Sequence, residues 1–222
     1  MTPQPDPNLK TIIDALVPEN NLGVLLAAQM GGTPREVQII LQTTEYDAGQ
    51  DALKVTGQHI IRAIGVIEHR VSLGLFHTIV LSSENPLLYR HNSRKVQVYF
   101  RGVPDHIDSF MIDLNQLYGQ TYGVFDPSGR MADEINRTMP LYNLLKNGNG
   151  LLCTSPQPFA EKLQKLLAQH NMTCSFLEVE DHPHDDGDHH HHDLTYQLLA
   201  MDDSYLVAQL FSSDPMKLPG SG

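Results

Sequence analysis

Tryptophan is absent from this 222-residue chain, aromatic residues make up only 7% of it, and cysteine occurs twice. So few rings leave little with which to stack nucleobases. Two cysteines, Cys153 and Cys174, do not make a disulfide framework. Basic residues are scarce: 15 Lys and Arg stand against 26 Asp and Glu, for a formal charge of −11. An acidic protein of this kind repels a phosphate backbone unless it carries a basic stripe. The densest basic stretch, residues 90–95, holds three fixed cations, Arg90, Arg94 and Lys95. Three are too few for a nucleic-acid surface, so no nucleic-acid partner is expected.

Long apolar runs are also missing. The longest near the N-terminus, residues 22–28, is far too short to span a bilayer, so no membrane association is expected. Residues 1–7 carry Pro3, Pro5, Pro7 and Asp6 but no basic residue, unlike a secretory signal. A cytoplasmic location is the expectation that follows. Recognised catalytic and phosphate-loop signatures are lacking as well.

What is present is a globular composition, 41% hydrophobic and 18% charged. Apolar positions at 9, 12, 13, 16 and 17 predict an amphipathic helix ended by Pro18. The Ala/Leu-rich segment 21–30, followed by Gly31 and Gly32, suggests a second short helix. Residues 37–44, 53–67, 73–81 and 95–100 predict strands, the second buried on both faces in its later half. The clearest helix covers 105–122, with Asp105 as N-cap, a stripe through Ile107, Phe110, Met111, Leu114, Leu117 and Tyr118, and a stop at Gly123. Residues 124–149 look irregular apart from a short helical piece at 141–146. Beyond them come a strand at 151–154, a helix carrying Phe159, Leu163, Leu166 and Leu167, a strand at 173–179, and a hairpin of 194–201 with 205–211.

The pattern predicts an α+β fold. Residues 1–147 form an N-terminal part, an antiparallel sheet with the 105–122 helix on one face. Residues 148–215 form a smaller β-α-β-β-β unit, and 216–222 a loose tail. Exposed sheet edges make a protein partner or homo-oligomer plausible.

One segment carries a chemical signal. Residues 181–193 read DHPHDDGDHHHHD, which places six of the twelve histidines in thirteen residues with five aspartates. Neutral imidazole is the general ligand for Zn²⁺, Ni²⁺ and Co²⁺, and carboxylates add oxygen donors and offset the ion's charge. His182 and His184 can face one side of an extended chain, as can alternate members of His189, His190, His191 and His192. Asp185 and Asp188 flank Gly187, which lets the two groups fold together. The expected ligand set is therefore His182, His184, His189, His190, His191, His192, Asp185 and Asp188, with Zn, Ni or Co as the metal. A catalytic zinc site needs few ligands on rigid elements and an open position. A low-complexity connection suits capture, buffering or delivery instead, so enzyme activity is not the favoured expectation. The competing reading is a solvated linker in a non-catalytic interaction or scaffold protein. Protonation of the six imidazoles would move this segment from about −5 towards +1, so a pH-responsive surface is a further expectation.

Weaker candidates remain. Cys153 precedes a helix start, where a thiolate would be stabilised, but a small buried hydrophobe is the plainer reading. His59, Glu68, His69, His77 and His91 lie on or beside strands and would matter only if they converged. Arg90, Arg94 and Lys95 could hold an anion, with or without the N-terminus of the 105–122 helix.

Overall fold

The computed structural model describes residues 6–123, 127–179 and 195–216. In chain order the N-terminal run is α1 (Pro7–Ala15), β1 (Asn21–Met30), β2 (Glu36–Asp47), β3 (Ala52–Ile64), β4 (Glu68–Arg70), β5 (Gly74–Phe76) and β6 (Val80–Ser82). A 3-10 turn, Pro86–Leu88, leads into α2 (Tyr89–Asn92), β7 (Lys95–Arg101), α3 (Ile107–Tyr122), α4 (Pro127–Glu134) and α5 (Leu141–Asn147). Then come β8 (Asn149–Pro156), α6 (Gln157–Gln169) and β9 (Thr173–Glu178), and finally β10 (Gln197–Met201), β11 (Ser204–Ala208) and β12 (Leu210–Pro215). The fold is α+β with antiparallel sheets, as the sequence predicts.

The chain makes two compact units, residues 86–193 and the segments on either side of them. The flanking unit contains two sheets, ordered β12-β3-β2-β1-β5 and β4-β11-β10-β6. They share one core with α1, built from Leu9, Ile12, Leu41, Ile61, Leu199 and Leu206 among others, each essentially inaccessible to water. Asp6 starts α1 by accepting from the Asn8 backbone N–H at 2.8 Å, with Pro7 in the first turn. Its other oxygen accepts from the Ser213 N–H at 2.9 Å, which ties the helix to β12.

Several local expectations give way here. Residues 21–30 are a strand, not a helix. Ala and Leu favour helix by only a few tenths of a kcal/mol each. Pairing with β2 along nearly the whole of β1, and with β5 on the other side, outweighs that preference. Gly31 then closes a β1–β2 hairpin through its N–H to the Glu36 carbonyl at 2.8 Å, and is no helix cap. Residues 73–81 are two short strands in different sheets, because the chain leaves β1 after Phe76 and joins β10 at Val80. The later half of β3 is buried on one face only: Ile61 and Ala63 are inside, while Ile64 is 40% exposed.

The 86–193 unit is a three-stranded sheet ordered β8-β7-β9, with β7 antiparallel to both neighbours. Val96, Val98 and Phe100 face inward along β7, and Phe110, Leu114, Phe159, Leu163 and Leu167 of α3 and α6 complete the core. The long helix thus covers this sheet and not the N-terminal one. It is capped by His106 without a side-chain bond; Asp105 instead accepts from the Asn171 side-chain amide at 2.9 Å. Gly123 ends it as expected. Gly148, where the sequence suggests a boundary, lies inside this unit as the left-handed cap between α5 and β8. The β10–β11 hairpin and β12 belong to the flanking unit. No helix among the described residues is long and apolar enough to cross a membrane.

Candidate functional site

The expected metal ligands, His182, His184, His189, His190, His191, His192, Asp185 and Asp188, all lie outside the described residues. What the structure gives is their setting in the chain. The segment joins the end of β9 to the start of β10, and so links the two units. Among the described residues no three His, Cys, Asp or Glu side chains group as metal ligands.

The weaker histidine candidates do not assemble into one site. His59 lies on β3 opposite Leu41 and Pro215, where burial lowers its pKa. Glu68 on β4 accepts from the Tyr205 hydroxyl at 2.8 Å, and His69 pairs across to Leu206. His77 follows β5, and its ring meets Asp202 at 3.3 Å. That Asp202 carboxylate also accepts from the backbone N–H groups of His77 and Thr78 and from the Thr78 hydroxyl. Burial pushes its pKa up, but these hydrogen bonds outweigh burial and hold it below the ordinary value. The group pins the β10–β11 turn to the chain after β5, which is a structural task.

A chemically richer place lies in the 86–193 unit. Leu87 and Leu88 are fully buried and anchor α2, which presents Arg90 and His91. Lys95 opens β7 beside them. Opposite stand Asp133 and Glu134 at the end of α4, and Thr154, Ser155 and Pro156 at the end of β8. Together they line a cleft of about 430 Å³. Arg90 Nη2 meets Asp133 Oδ2 at 3.2 Å. Arg94, the third cation expected here, points elsewhere and pairs with Glu178 at 3.4 Å.

The unusual member is Glu134. Helix α4 turns Arg130 and Glu134 inward, one helical turn apart, and both are buried. The Tyr118 hydroxyl donates to Glu134 Oε2 at 3.0 Å, and the Tyr122 hydroxyl approaches Oε1 at 3.5 Å. Tyr118 and Tyr122 lie one turn apart on α3, packed against Phe159 of α6. Burial pushes the Glu134 pKa up to about 7, against the pull of Tyr118, Arg90, Arg130 and Tyr122. Burial, then the Glu134 charge, raises the pKa of both tyrosines, so they remain donors at any ordinary pH. A carboxyl poised near neutrality at a cleft can exchange a proton or sense charge there.

Cys153 lies behind Glu134 on β8. It is fully buried, donates to the Ser155 hydroxyl at 3.8 Å, and burial pushes its pKa up to about 12. This is the plainer of its two expected readings, an inert thiol. Cys174 is a second free thiol, half-buried on β9.

Sequence reasoning missed Glu134. The stretch PSGRMADE has a proline, a glycine and a serine in its first half, which hid α4. Nothing in the periodicity marks a glutamate as buried. The Tyr118/Tyr122 spacing on the α3 stripe was the only available signal. No family model matches the chain, and neither a curated protein nor a solved structure matches it.

Proposed function

We propose that the protein is a metal-binding accessory that captures, buffers or delivers Zn²⁺, Ni²⁺ or Co²⁺ through residues 181–193. The observation that carries this reading is the density of donors, six imidazoles and five carboxylates in thirteen residues. Two features support it. Among the described residues no other group of donors competes for the role. The segment is also a connection between β9 and β10, so loading it with metal does not require rebuilding either core. Imidazole must be neutral to bind, so affinity falls as pH drops through about 6.5.

The test is metal content and affinity on tagless protein beside a variant with all six loop histidines changed to Asn. Near-stoichiometric metal on purification, or binding well below micromolar that the variant loses, supports the proposal. Equal weak binding by both proteins overturns it and leaves the segment as a linker.

A further inference from the structure

We propose that the cleft between α2 and α4 binds a small molecule through its phosphate or sulfate group, held by Arg90 and Lys95, with Thr154 and Ser155 in the opposite wall. This is independent of the metal reading, since it involves none of residues 181–193.

The cleft volume, about 430 Å³, falls in the range of small-molecule sites. Its lining sets two fixed cations, Arg90 and Lys95, against two carboxyls, Asp133 and Glu134, and so is less acidic than the chain as a whole. In a protein of net charge −11, two fixed cations line this cleft and a third, Arg130, acts on Glu134 from the next turn of α4. Arg90 meets Asp133 at 3.2 Å, and Arg137 stands 3.9 Å from the same carboxylate, so Asp133 keeps a second partner when an oxyanion takes up Arg90. Glu134 is engaged by the tyrosine hydroxyls of α3, and burial, against the pull of Arg90 and Arg130, leaves it only partly charged near pH 7. Arginine offers a planar fork and lysine a point charge, the usual pair for a tetrahedral oxyanion. Pro156 lines the cleft and immediately precedes the 13-residue α6, so the positive end of that helix dipole adds to the same field.

The site is also built to respond to pH. The groups facing Glu134 are Tyr118 and Tyr122 from α3, Arg130 and Asp133 from its own helix, Arg90 from α2 and Cys153 from β8. His91 and Lys95 complete the titratable lining. The tyrosines, the thiol and the fixed cations keep one charge state between pH 6 and 8. Glu134 changes over that interval, and its protonation removes a negative charge as pH falls. Oxyanion affinity therefore rises from pH 8 to pH 6.

Sulfate is the probe, because its charge is constant over that interval. Calorimetric titration of the full-length protein at low ionic strength should find one sulfate per chain. Arg90→Gln and Lys95→Gln should each weaken it at least tenfold, and Lys95, exposed on β7, is the variant least able to disturb folding. The gain in affinity at pH 6 should shrink in Glu134→Gln. The six-histidine loop variant should bind sulfate at pH 8 like the wild type. A phosphate monoester that binds more tightly than sulfate assigns an organic phosphate, and equal binding assigns the free oxyanion. No saturable binding, or binding that neither Arg90→Gln nor Lys95→Gln alters, marks an adventitious ion only and overturns the proposal.

Discussion

The Tyr118 hydroxyl donates to the Glu134 carboxylate at 3.0 Å, with both side chains buried between α3, α4 and β8. The bond satisfies two polar groups that would each be costly to leave unpaired in the interior. It also leaves a carboxyl whose pKa stands near 7, well above the ordinary 4.5.

That displacement fixes a pH dependence of stability. The folded state holds the Glu134 proton more tightly than the unfolded chain, so the favourable contribution is complete below about pH 4.5 and is lost as pH rises through about 7. The full swing is on the order of 3 kcal/mol. Urea unfolding at several pH values should show wild type losing ground to Glu134→Gln between pH 5 and pH 8. Parallel curves for the two proteins would mean that Glu134 titrates like an exposed acid.

Asp202 joins the β10–β11 turn to the chain after β5 through two backbone N–H groups and one hydroxyl. It also sits at φ +46°, where Asp and Asn are better tolerated than most residues. Asp202→Ala should lower stability by about 2 kcal/mol, and Asp202→Asn by less, since Asn keeps one acceptor and the backbone preference. Because its pKa is depressed, this contribution is present above the unfolded value and is lost as pH falls through the folded one. Equal losses for Ala and Asn would assign the effect to charge and not to geometry.

Gly23 allows the Phe76 ring to lie directly on β1. A Cβ built there would stand 2.0 Å from Phe76 Cζ. Gly23→Ala should therefore cost about 1–3 kcal/mol by overpacking. Adding Phe76→Leu should recover part of that loss, which a double-mutant cycle in denaturant reads directly.

The two thiols should behave differently towards an aromatic disulfide reagent. Cys174 is half-buried, and Cys153 is fully buried with its pKa pushed up to about 12. Native protein should release one equivalent slowly, and none in Cys174→Ser, with the second appearing only on unfolding. Rapid modification of both would contradict the packing of β8.

Removing metal should leave the fold intact. A chelator, or replacement of the six loop histidines by Asn, should leave Tm unchanged in metal-free buffer while abolishing metal binding. Added Zn²⁺ should raise the wild-type Tm by mass action if the folded chain binds it better than the unfolded one. A collapse of Tm on chelation would mean that the ion is part of a core.

The sequence by itself determined the elements whose pattern is strong and local. α1, α3, α6, β2, β7 and the β10–β11 hairpin are legible because amphipathic period, β-branched runs and turn residues agree there. The α+β class and the concentration of histidine and aspartate in 181–193 are likewise properties of the chain as written. Tertiary structure decided the rest. Residues 21–30 became a strand because partners on both sides outbid weak helix propensity. Residues 197–215 returned to pair with β3, β4 and β6, a long-range choice that no local pattern encodes. The cleft arose the same way: the basic stretch 90–95, Glu134 and Ser155 are far apart in sequence, and only packing around Tyr118 and Phe159 brought a buried carboxyl beside Arg90 and Lys95. Burial and proximity are pairwise properties of the folded chain, so a single sequence read along its length does not display them.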